Sequence, residues 1–91
     1  MPKFLSEREL PGAGQLSSDD LRQIARRSCD VLDALGTEIQ WIQSWVTDDR
    51  IFCLYIAPDV DLIREHARCG KFPANQIRQI RAAMDPATAE G

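Results

Sequence analysis

Histidine and tyrosine each occur once in this 91-residue chain, and cysteine three times. One histidine cannot make an HxxxH pair, and the cysteines form no CxxC, so both common local metal spacings are missing. An odd cysteine count with no paired framework points to reduced thiols in a cytoplasm rather than to disulfides. No apolar run approaches the roughly 20 residues of a membrane span. The N-terminus lacks the charged, apolar and small-residue succession of a secretory signal, so a cytoplasmic protein without membrane contact is expected. An excess of one charge is missing too. Eleven Lys plus Arg against fourteen Asp plus Glu leave a net charge of −3 and a pI near 5.0. Such a chain makes a poor phosphate-backbone binder, and no nucleic-acid partner is expected.

What remains is an ordinary globular balance, 44% hydrophobic and 27% charged residues. It suits a single domain over residues 1–91, with an ordered core at 2–85 and a frayed tail, PATAEG, at 86–91. KFLSERE, residues 3–9, reads as a first strand. LPGAGQL follows as a connection, because GAG lacks the further glycine and the Lys-Ser/Thr ending of a phosphate loop. Ser17 caps a helix whose inner face is Leu21, Ile24, Ala25, Ser28, Leu32 and Leu35, and Gly36 stops it. Arg22, Arg26 and Arg27, flanked by aspartates, form a solvated face.

Residues 39–57 read as a hairpin turning at Asp48-Asp49. Its register pairs Val46 with Ile51, Ser44 with Cys53 and Ile42 with Tyr55 on one face. The other face pairs Trp45 with Phe52, Gln43 with Leu54 and Trp41 with Ile56. Asp59 opens a second helix to about Cys69, with Leu62, Ile63, His66 and Ala67 on its apolar face. NQIRQIRAAMD, residues 75–85, is a last, edge-like strand.

The order strand, helix, strand, strand, helix, strand defines an α+β fold, the ferredoxin-like βαββαβ sandwich. Right-handed crossovers place both helices on one face of a four-stranded antiparallel sheet. Because the central hairpin is apolar on both faces, the open one calls for cover, and a homodimer packed sheet against sheet provides it.

His66 lies mid-face on the second helix, where a buried imidazole needs partners. If strand one turns Leu5 and Glu7 toward the helices, Glu7, Cys53 and His66 converge on one pocket beside Ser44 and Tyr55. Carboxylate, thiolate and imidazole suit nickel, zinc or another divalent transition metal. The same groups also suit a Cys–His nucleophile pair with an orienting carboxylate. Structural roles compete: a buried hydrophobe for Cys53, an exposed strand residue for Glu7. Cys29 is expected to pack inside and Cys69 to be exposed.

FLSERELPGAG, WVTDDRIFCLYIAP and IREHARCGKFPAN together resemble a family of small bacterial ferredoxin-like proteins, some of them nickel-binding. The likeness runs from Pro2 to about Asp85. It implies the same sandwich, commonly dimeric, in a bacterial cytoplasm, with nickel as a cofactor in at least some members and no catalytic mechanism to carry over. Glu7 in ERELPG, Cys53 in FCLYIAP and His66 in REHA match polar positions of the family. Ser6 and Trp45 depart from it, standing where an aliphatic residue and Tyr are usual. The combined expectation is a small nickel-binding protein, for storage or buffering. The alternative is a small dimeric enzyme, isomerase or monooxygenase-like, or a ligand-binding module with its pocket between sheet and helices.

Overall fold

The computed structural model describes residues 1–36 and 38–91. Strands β1 (Lys3–Glu9), β2 (Gln40–Val46), β3 (Arg50–Ile56) and β4 (Gln76–Ile80) alternate with helices α1 (Ser18–Leu35) and α2 (Val60–Gly70) as β1-α1-β2-β3-α2-β4. All pairings are antiparallel and the spatial order is β2-β3-β1-β4, so β1 and β3 form the centre. This is the α+β ferredoxin-like sandwich the chain predicts.

Local chemistry accounts for the boundaries. Ser17 and Asp20 form a reciprocal capping box at the start of α1, satisfying two amide donors that a helix end leaves unpaired. Gly36 closes the helix at φ 103°, a conformation that a side chain resists. Asp59 caps α2 through the Leu62 amide. The GAG stretch becomes a short 3-10 turn at Ala13–Gln15, clamped on the hairpin tip. There Leu10 donates to the Asp49 carbonyl and Gly14 to that of Asp48. A Cβ on Gly14 would come within 2.9 Å of the Asp48 backbone, so this glycine serves close approach between loops.

Alternate burial along the two central strands sets the sheet's polarity. Phe4, Ser6 and Arg8 of β1, with Ile51, Cys53 and Tyr55 of β3, are buried toward the helices. Ile63, His66 and Ala67 of α2 and Ser28 of α1 complete the layer. Burying a side chain such as Ile63 stabilises the fold by about 1.5–3 kcal/mol. Leu5, Glu7, Phe52, Leu54 and Ile56 fall on the opposite, open face.

Several expectations are corrected. The hairpin keeps its predicted register from Val46↔Ile51 to Gln43↔Leu54, but a bulge follows between Gln43 and Trp41. Ile42 is the extra residue, so Trp41, not Ile42, pairs with Tyr55, and Gln40 pairs with Ile56. The last strand stops at Ile80. Residues 86–90, expected to fray, form an exposed 3-10 turn capped by Asp85 and Thr88. Cys29 is exposed, not packed, because it lies 100° round the helix from the buried Ser28.

Candidate functional site

A cluster of polar and aromatic side chains lies between sheet and helices. Arg8 points inward because β1 alternates from Phe4 through Ser6, all three buried. It is only 5% exposed. Its Nη2 donates to the Tyr55 hydroxyl at 2.6 Å, and its guanidinium carbon stands 4.4 Å from the centroid of the Phe72 ring. The Arg8 Nε is buried without a partner. No carboxylate pairs with this guanidinium among the described residues.

His66 Nε2 lies 3.2 Å from the Ser28 hydroxyl, and its ring meets Tyr55 edge-on at 5.5 Å and Phe72 tilted at 5.3 Å. Burial, then the charge of Arg8, push the imidazole pKa down against a smaller opposing effect of Ser28. Burial also raises the Tyr55 pKa, with Arg8 opposing and Cys53 adding to the rise. Tyr55 is therefore a neutral phenol at physiological pH and cannot neutralise the arginine.

Phe72 sits at the centre because Gly70, the last residue of α2, has no side chain to obstruct its ring. Lys71 then turns the chain in the left-handed region, at φ 56°. The guanidinium carbon of Arg27 also lies over the Phe72 ring, at 4.8 Å.

Two cavities flank Arg8. The first, of about 210 Å³, lies under α1 and is walled by Leu21, Ile24, Val46 and Ile51, with Ser28, Trp41, Ser44 and Cys53 also lining it. The second, of about 300 Å³, is lined by Arg8, Arg27 and Lys71 together with Leu10, Leu16, Ile24, Ile51, Phe72 and Pro73.

Of the residues singled out from sequence, Cys53 and His66 face the helix layer, and Ser44 lies beside Cys53 in register. Tyr55 is buried there as the partner of Arg8. Glu7 is not. The phase of β1 is set by Phe4, so Glu7 lies on the open face, where its carboxylate receives a hydrogen bond from Arg50 at 2.9 Å. The expected convergence of Glu7, Cys53 and His66 is thus corrected. Nor do Cys53 and His66 form a nucleophile pair: the imidazole's hydrogen-bond partner is Ser28. Arg8, Ser28 and Phe72 are the members that the motif reading overlooks. Strict alternation from Phe4 is the signal for Arg8, and the inner helical face already includes Ser28.

These residues do not fit a transition metal. No group of three or more His, Cys, Asp and Glu side chains suited to a metal occurs among the described residues. The exposed Cys69 sulfur approaches Glu65 at 3.4 Å, but that carboxylate is already engaged by Arg68, which lowers its pKa. No described helix is long and apolar enough to cross a membrane.

Fold and cluster thus define a small ferredoxin-like domain with a buried arginine-aromatic centre. The chain belongs to the family described as "Nickel responsive protein SCO4226-like", whose model matches residues 4–80. The crystal structure of SCO4226 from Streptomyces coelicolor A3(2) superposes with a TM-score of 0.76 at 18% identity, covering 90% of this chain and 99% of that one. No curated protein matches.

Proposed function

We propose that the protein is a small nickel-binding protein of the cytoplasm that works as a homodimer, its nickel held outside the buried layer that contains Cys53 and His66. Membership of a nickel-responsive family is the observation that carries the nickel reading. The failure of Glu7, Cys53 and His66 to meet argues against an internal site. The open sheet face supports self-association: Leu5, Phe52, Leu54 and Ile56 are only half-buried there, and Trp45 is 44% exposed beside them. Three free cysteines suit a reducing compartment. Storage or buffering fits a binding role without chemistry.

The test uses tag-free protein that has never met a nickel resin. Equilibrium dialysis against Ni(II), read by elemental analysis, is combined with light scattering. Retained nickel and a mass near twice 10.3 kDa are expected, with uptake unchanged in His66→Ala. Absence of nickel uptake, a monomeric mass, or loss of uptake in His66→Ala would each overturn the reading.

A further inference from the structure

We propose that the second cavity is a binding site for a small organic acid: its carboxylate pairs with Arg8, Arg27 and Lys71, and its apolar body lies against Phe72 and Leu16. This inference is independent of nickel. Three cationic side chains line the cavity and no acidic one does. None of the three forms an ion pair among the described residues. Two of them, Arg8 and Arg27, stand against the same Phe72 ring, their guanidinium carbons 4.4 and 4.8 Å from its centroid.

Burial makes this arrangement informative. An exposed arginine needs no partner, but Arg8 is 5% exposed, and the Tyr55 phenol that it contacts carries no charge to oppose its own. A buried cation without a counterion is costly, and proteins normally supply an acid. Here an anion entering from outside would supply that charge, with planar guanidinium groups suited to a carboxylate.

The remaining lining selects among anions. Leu10, Leu16, Ile24 and Phe72 offer nothing to a hydrated inorganic ion, whereas an apolar group gains by leaving water. The volume, about 300 Å³, exceeds the roughly 150 Å³ of an engineered apolar cavity that admits benzene. An acid the size of benzoate is therefore a reasonable occupant. Few polar groups placed within a mostly apolar hollow are the usual make-up of a small-molecule site.

Sodium benzoate is the probe, followed by backbone amide NMR shifts of the full chain, with benzyl alcohol as the neutral analogue and inorganic phosphate as the bare anion. Expected are saturable shifts centred on Leu16, Ile24 and Phe72, and binding of benzoate at least tenfold tighter than of either control. Arg27→Gln and Lys71→Asn, both at exposed positions, should each weaken benzoate about fivefold, and Arg8→Met should abolish its advantage over benzyl alcohol. Should Arg8→Met fail to fold, the two surface variants carry the test alone. Benzyl alcohol or phosphate binding as well as benzoate, shifts located elsewhere, or unchanged affinity in both surface variants would overturn the proposal.

Discussion

The Arg8–Tyr55 pair makes the sharpest thermodynamic test, because each partner is buried and the bond between them is short, at 2.6 Å. Tyr55→Phe deletes the hydroxyl and leaves a guanidinium nitrogen without its acceptor. Hydrogen bonds to charged groups contribute about 1.5–3 kcal/mol, so a loss of about 2–3 kcal/mol is expected. Arg8→Met strands the phenol, at about 1–3 kcal/mol, but also removes a buried charge that no acid neutralises. Its net loss should be nearer 1 kcal/mol. In the double variant neither group is left alone, and the fold should be within about 1 kcal/mol of the parent. Together the single losses therefore exceed that of the double by at least about 2 kcal/mol, a coupling that urea denaturation followed by circular dichroism resolves readily. Additive losses, within about 0.5 kcal/mol, would refute the claim that the two groups depend on each other.

Acid sensitivity should report on His66. Its folded pKa is depressed by burial and by Arg8, so the unfolded chain, near its ordinary value of about 6.5, takes up the proton first as pH falls. The stability that His66 contributes by remaining neutral is complete above that pH and is lost as pH drops toward the lower folded value. Urea midpoints between pH 7.5 and 5.5 should decline in the parent and flatten in His66→Asn; parallel curves would contradict the assignment. Gly70→Ala should destabilise by about 1–3 kcal/mol through displacement of the Phe72 ring, because the gain of about 1 kcal/mol that alanine brings to a helix interior is not fully realised at the last residue of α2. A thermal midpoint above that of the parent would refute it.

Much of the fold is legible in the chain because its punctuation is strong. Ser17 with Asp20, Gly36 and Asp59 mark helix ends by hydrogen bonding or backbone freedom, properties local to a few residues. The hairpin register near the tip is legible for the same reason, since a short polar turn dictates which residues face each other. The phase of β1 is not. Phe4 and Leu5 are both apolar, so alternation has two acceptable settings, and packing in the core between sheet and helices chooses between them. Choosing Leu5 brings Glu7 into the site and hides Arg8; choosing Phe4 reverses both. The bulge at Ile42 is hidden too, because an extra residue in a run of apolar and amide side chains leaves no compositional mark. Phe72 lies beyond the end of α2 in a segment without periodicity, and its central place depends on the absent side chain of Gly70.

The irregularity in β2 also separates the chain's two indoles. Without the inserted residue, Trp41 and Trp45 would emerge on the same side; with it, Trp41 is tethered to Ser44 within the first cavity while Trp45 looks outward from the bare surface. The molecule thereby carries two intrinsic fluorophores facing different events. Single-tryptophan variants would therefore separate the two environments without an attached dye: Trp41 would sense a change beneath α1, and Trp45 would shift to the blue only if the bare surface became covered.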